Sequence, residues 1–265
     1  MNISEVKFYC KFFRTGIPCK PNKEKNATCD NCTSYEKVET RILIIKLGAL
    51  GDVIRTTPLL ERFRKEYSNV HFTWLTLSPT ILPADQIDII YKWDFTSVYK
   101  IQHSTFDIAL NLDKDPEACM LLAEVNATKK YGYTWKENHI APATEKAEHK
   151  LMTGFFDELS KSNTKSYLEE IFEICHFTFQ KEDYLINLNS ELAKKWDFKF
   201  KSLANGKKIV GLNTGCGPRW NTRLWSDESW EELSRLLSSE GYYPVFLGGE
   251  LEHEKNVRMS ANTNS

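Results

Sequence analysis

Long apolar runs are missing from this 265-residue chain, and so is any excess of charge. No stretch approaches the roughly 20 apolar residues of a membrane-spanning helix. The start, MNISEVKFYCKFF, lacks the apolar run of a secretory signal. Lys and Arg number 35 against 36 Asp and Glu, a formal net charge of −1, which gives no electrostatic case for nucleic acid or for an anionic membrane surface. The phosphate-loop pattern GxxxxGK(S/T), the dinucleotide fingerprint GxGxxG and the GxSxG elbow are absent, and the six histidines form no HxH or HxxxH pair. Present instead is 41% apolar residues, enough to bury a core in one large domain or two ordinary ones. The expected location is the cytoplasm, with no nucleic-acid partner.

Three regions differ in character. Residues 1–36 hold four of the seven cysteines, Cys10, Cys19, Cys29 and Cys32, and no long periodic element. From residue 41 strands and helices alternate. Strands are predicted over Ile42–Leu47, Val70–Thr76, Ser97–Ile101, Phe106–Leu112 and Lys129–Tyr133, and helices over Val53–Tyr67, Glu117–Val125 and Tyr167–Phe177. Pro58 should kink the first helix or mark its restart. Residues 135–164 read as loop with short helix, and a helix over Ser190–Phe200 leads to a linker, Leu203–Lys208. A second unit then shows strands Ile209–Asn213 and Tyr243–Leu247. A helix, Asp227–Ser239, lies between them with Ser226 as N-cap and Gly241 as C′, and a further helix follows over Glu250–Met259. Alternation of this kind predicts two doubly wound α/β domains, 37–202 and 203–265, after the Cys-rich segment 1–36. Two strands are too few for an independent parallel domain, so the second unit reads as incomplete.

Asp52 is the first candidate catalytic residue. The buried strand predicted at Ile42–Leu47 runs into Gly48-Ala49-Leu50-Gly51-Asp52 and then into a helix. In open α/β sheets ligands bind beyond the carboxyl ends of the strands, and an acid there can serve as a base. Capping of the helix is the alternative reading. Gly48 and Gly51 allow close backbone approach and positive φ, and with Arg55 they form a candidate binding loop beside Asp52.

The second candidate site is the loop Thr214–Trp225. Asn213, Thr214 and Gly215 end a strand, where exposed N–H groups and a helix N-terminus favour a phosphate. Thr214 could add a hydroxyl, and Arg219 and Arg223 could offset a diphosphate or simply stack on Trp220 or Trp225. Glu252 follows Gly248-Gly249 after the next strand. The cysteine spacing C-x8-C-x9-C-x2-C ends in a knuckle that suits tetrahedral zinc, so Cys10, Cys19, Cys29 and Cys32 are candidate ligands of a structural zinc; an iron–sulfur cluster and free thiols are the alternatives.

Two blocks, ILIIKLGALGDVIRTTPLLERFRKEYSNVHFTWLT (42–76) and VGLNTGCGPRWNTRLWSDESWEELSRLLSSEGYYPVFLGG (210–249), resemble glycosyltransferase family 9, the ADP-heptose:lipopolysaccharide heptosyltransferases. The resemblance implies the GT-B architecture, two Rossmann-like domains facing a cleft. It implies inverting transfer of a heptose or similar sugar from a nucleotide-diphosphate donor such as ADP-heptose to a lipopolysaccharide-core or other surface-glycan acceptor in a bacterium. It makes Asp52 the base that deprotonates the acceptor hydroxyl, Arg223 the cation on the nucleotide phosphates and Glu252 a contact to the ribose or base. No catalytic metal is implied. A lipid-linked acceptor implies transient contact with the inner face of the cytoplasmic membrane. Members of the family continue by about half a domain, through an Asp-Thr/Ser-Gly/Ala loop and a His, so the resemblance implies a chain cut short at its C-terminal side. The alternative is a non-catalytic, glycosyltransferase-like binding or regulatory protein with a structural zinc segment.

Overall fold

The computed structural model describes residues 2–216 and 223–263. Its contacts divide the chain into two compact units, Met1–Asn187 and Leu188–Ser265. The first unit runs α1 (Lys20–Lys25), β1 (Thr40–Ile45), α2 (Leu50–Thr56), α3 (Pro58–Glu66), β2 (Val70–Thr76), β3 (Ile89–Lys92), α4 (Phe95–Gln102) and β4 (Thr105–Asn111). It continues with α5 (Pro116–Glu124), β5 (Asn126–Lys136), β6 (His139–Pro142), α6 (Glu148–Phe155), α7 (Asp157–Ser162) and α8 (Tyr167–Ile174). The second holds α9 (Ser190–Ala204), β7 (Ile209–Asn213), α10 (Asp227–Ser239), β8 (Tyr243–Leu247) and α11 (His253–Thr263). α9 falls in the second unit by its contacts.

The six strands of the first unit lie in the order β3-β2-β1-β4-β5-β6. β1 to β5 are parallel, and β6 returns antiparallel to β5. β1 sits centrally, and its alternating side chains feed two cores. Ile42 and Ile44 pack with Leu59, Leu60 and Phe63 of α3 and with α8, while Leu43 and Ile45 pack with Ile101 of α4 and Leu121 and Leu122 of α5. Burial on both faces is why Ile42–Ile45 of β1 read as an unbroken apolar run.

Three sequence expectations need correction. Ser97–Ile101 is not a strand but the body of α4: the Asp94 carboxylate accepts the Ser97 N–H at 2.8 Å and caps it, and Ser97 and Ile101 turn one face to the sheet. The strand of that region is β3, paired with β2 from Thr73↔Ile89 to Thr76↔Lys92. Residues 135–164 contain, besides short helices, the strand β6. Pro58 does mark a restart: α2 ends at Thr56 and α3 begins at Pro58. The linker at 203–208 begins later than expected, since α9 runs to Ala204 and ends on Asn205 at φ 46°.

In β5 Gly132 stands at φ +91°, and a Cβ there would lie 1.8 Å from the Asn111 carbonyl oxygen of β4. Gly132→Ala is therefore expected to destabilise the first unit by about 3 kcal/mol, through backbone strain and a clash that only main-chain movement relieves. Urea denaturation measures this, and an unchanged midpoint would show that the glycine is replaceable.

His71 of β2 is buried, and burial lowers its pKa; Asp88 opposes that shift, while Arg41 and Arg14 reinforce it. The unfolded chain then takes up the proton more readily than the fold does. His71 should cost no stability above about pH 6.5 and progressively more as the pH falls below it. Thermal melts of wild type and His71→Gln at neutral and acidic pH test this; equal acid sensitivity would remove His71 as the cause.

Candidate functional site

Asp52 lies in the first turn of α2, beyond the carboxyl end of β1. Its N-cap is Ala49, which offers no side-chain cap, and the Asp52 carboxylate is turned instead to Arg55, whose Nη2 donates to Oδ1. About a third of the Asp52 side chain stays exposed. The Arg55 guanidinium lies 4.1 Å above the Tyr167 ring, so α8 holds the cation that holds the acid. Burial, and then the Asp52 charge, push the Tyr167 phenol well above its ordinary pKa. Lys150 stands 5.6 Å from the same ring and donates to Glu170 at 2.5 Å. Lys114 reaches the Lys150 carbonyl at 2.8 Å, and burial lowers its pKa.

Gly48 and Gly51 lie beside Asp52, but neither adopts the positive φ that glycine allows; among the described residues the glycines that do are Gly132, Gly206 and Gly241. A Cβ on Gly51 would meet nothing within 4 Å, and one on Gly48 only Leu77 Cδ1 at 4.0 Å. The fold itself does not require glycine at either position.

Sequence reasoning missed the support beneath this loop. Lys46 and Asp113, 3% and 7% exposed, form an ion pair at the ends of β1 and β4. Lys46 Nζ also donates to the Gly48 carbonyl, and the Leu47 N–H donates to Asp113 Oδ2. Asn111 fixes the Asp113 main chain: it accepts the Asp113 N–H at 3.0 Å and donates to the carbonyls of Asp113 and Tyr133 at 3.0 and 2.8 Å. Burial pushes the Asp113 carboxyl up, against Lys46 and the Leu47 N–H, which favour its charged form. The available signal was a lysine interrupting the apolar run LIIKLG.

In the second unit, Asn213, Gly215 and Glu252 line one cavity of about 590 Å³ at the carboxyl ends of the parallel pair β7 and β8, together with Cys216, Gly248 and Gly249. The Glu252 carboxylate accepts the Gly249 N–H at 2.8 Å, and a Cβ on Gly215 or Gly248 would come within 2.5 Å of its side chain. Both glycines thus make room for Glu252. Thr214 is a correction: its hydroxyl is turned inward to Asn256 Oδ1 at 2.6 Å and the Leu247 carbonyl at 3.2 Å, so its single proton is not offered to a ligand. Arg223 is exposed ahead of α10, and Arg219 lies outside the described residues. Cys10, Cys19, Cys29 and Cys32 line a separate cavity in the first unit.

No protein-family profile matches the sequence, and no curated protein does. Solved structures do. A family 9 glycosyl transferase from Veillonella parvula superimposes with a TM-score of 0.60 at 17% identity, over 86% of this chain and 68% of that one. The E. coli ADP-heptose LPS heptosyltransferase II gives 0.57 at 16% identity, over 84% and 68%. The E. coli heptosyltransferase WaaC, in a structure with ADP-2-deoxy-2-fluoro heptose, gives 0.52 at 16% identity, over 84% and 74%. At such identities the likeness is one of fold, and the fold is the mixed α/β, GT-B-like architecture of these proteins. No helix among the described residues is long and apolar enough to cross a membrane.

Proposed function

We propose that the chain is a glycosyltransferase that uses a nucleotide-diphosphate sugar, and within that class an inverting heptosyltransferase acting on a glycan or glycolipid acceptor. The observation that carries the proposal is Asp52: a partly exposed carboxylate beyond the central strand β1, oriented by Arg55 and flanked by two glycines that the fold does not need. An acid so placed can take the proton from an acceptor hydroxyl as that oxygen attacks the anomeric carbon. The open space beside Gly48 and Gly51 leaves room for the acceptor to approach.

The cavity of the second unit supports the donor half of the reading. Main chain at Gly215 and Gly248 and the carboxylate of Glu252 meet there, the last suited to accept from ribose hydroxyls. Arg223, and Arg219 by its place in the sequence, supply the charge that a leaving diphosphate requires, so the reading needs no catalytic metal. The solved structures of like fold include ADP-heptose heptosyltransferases, which favours a heptosyl donor. A cytoplasmic chain that touches the membrane only when it meets a lipid-linked acceptor completes the proposal.

The test is donor-dependent release of ADP from ADP-heptose with a lipopolysaccharide-core acceptor, following the anomeric configuration of the product. Inverted product supports the reading. Tight binding of ADP-heptose without turnover would instead favour a non-catalytic binding protein, and failure to bind any nucleotide sugar would overturn the proposal.

A further inference from the structure

The Cys-rich segment has order without a core. From Asn2 to Lys37 the only buried residue is Pro21, while Ile3, Tyr9 and Ile17 are each more than 60% exposed. A stretch of this size cannot hold its shape by apolar burial, and small units of this kind need a cross-link or a metal. All four cysteines are free, so no disulfide supplies the link.

The four thiols nonetheless converge. Cys10, Cys19, Cys29 and Cys32 line one cavity of about 40 Å³, walled by Phe12 and Phe13 among others. That volume is ample for a single ion. Local hydrogen bonds present each thiol from a defined bend. The Asn31 N–H donates to the Thr28 carbonyl at 3.1 Å, and the Thr28 N–H to Asn31 Oδ1 at 2.8 Å, which closes the turn carrying Cys29 and Cys32. Cys19 is the N-cap of α1, and the Cys10 carbonyl accepts the Phe13 N–H at 2.9 Å. The two ends of the segment are tied by the Lys11 N–H to the Glu36 carbonyl at 2.8 Å and the Val38 N–H to the Tyr9 carbonyl at 2.7 Å. Charge agrees as well. Six Lys and Arg face four Asp and Glu across residues 1–36, and Lys7 lines the cavity itself. A tetrathiolate zinc centre carries two negative charges, which that excess balances.

We propose that Cys10, Cys19, Cys29 and Cys32 bind one Zn²⁺ tetrahedrally, and that this ion is the missing core of residues 1–36. No three His, Cys, Asp or Glu among the described residues already stand at ligand geometry; the ion draws the four sulfurs in from the cavity walls to about 2.3 Å. Four thiolates leave no open coordination position, so the metal is structural. Its place agrees: the segment leads into the start of β1, whereas Asp52 lies beyond the end of that strand.

The test is elemental analysis of the full chain purified without chelator, with zinc, iron and acid-labile sulfide measured together. The expected result is one zinc per chain, released on titration of the thiols with a mercurial and lost in Cys29→Ser/Cys32→Ser. Removal of zinc from the wild type should open residues 1–36 to trypsin while the rest persists, and added zinc should restore protection. Because this arm uses the wild type, it decides the matter even where the double variant does not fold. Iron with sulfide would overturn the zinc assignment in favour of a cluster. Four thiols that react freely in the native chain, with no metal bound, would overturn the site altogether.

Discussion

Asp52→Asn is expected to lower sugar transfer by about 10²- to 10⁴-fold, the range general-base catalysis contributes, with donor binding and thermal stability nearly unchanged. The substitution keeps size and the ability to accept from Arg55 Nη2, so the Asp52–Arg55–Tyr167 arrangement survives in shape. Only the capacity to take a proton is lost. The comparison separates the two readings of this carboxylate. A capping role would appear as a loss of stability, typically about 1 kcal/mol, with turnover intact. The structure already weighs against capping, because Asp52 sits inside the first turn while the N-cap is Ala49, and its carboxylate is spent on Arg55. The checks are single-turnover transfer and a melting curve on the same preparations. Retained turnover in the Asn variant would remove Asp52 as the base.

The largest loss of stability is expected from Lys46→Met. It leaves the Asp113 carboxylate buried without its cation, and breaking a buried pair from one side costs about 3–5 kcal/mol. Domains of this size are stable by about 5–15 kcal/mol in total, so the variant should be marginal. Adding Asp113→Asn should recover more than half of the loss. The double variant removes the orphaned charge, while the oxygen of the introduced amide can still accept the Leu47 N–H that Asp113 holds now. Urea melts of the two single variants and the double one close the cycle. Additive losses would show that the pair is not coupled. Because Lys46 also holds the Gly48 carbonyl, the double variant should transfer sugar more slowly than its recovered stability alone accounts for.

These two residues show where sequence reading reaches and where it stops. The position of Asp52 after β1 was legible because everything that places it is local: an apolar run buried on both faces, small residues, then a helical period. The positions of Gly215 and Glu252, shortly after β7 and β8, were legible for the same reason. Lys46 and Asp113 were not, since their pairing spans 67 positions and exists only because β1 and β4 are neighbours in the sheet. The segment Ser97–Ile101 misled because Val98 and Ile101 have strong strand propensity over five residues. The Asp94 cap decided the matter, together with a packing face against the sheet that only a helix could offer. The inward turn of the Thr214 hydroxyl was not legible: Asn256, which takes its proton, is 42 residues further along.

Thr57, at the junction of α2 and α3, accepts the Leu185 N–H on its hydroxyl at 2.9 Å across 128 positions. Arg62 of α3 reaches the Thr178 carbonyl at 3.1 Å and Gln180 at 3.3 Å, with Glu182 at 3.8 Å, and Phe177, Phe179 and Leu185 pack on the core. The strand that defines the site thus leaves the ribosome well before the strap that seals its helices, which is among the last parts of the unit to do so. During synthesis the nascent sheet must wait with one apolar face uncovered until residue 185 has cleared the exit tunnel. Termination between residues 167 and 185 would release a chain that already possesses Asp52, Arg55 and Tyr167 but lacks the closure that holds α3 over the sheet.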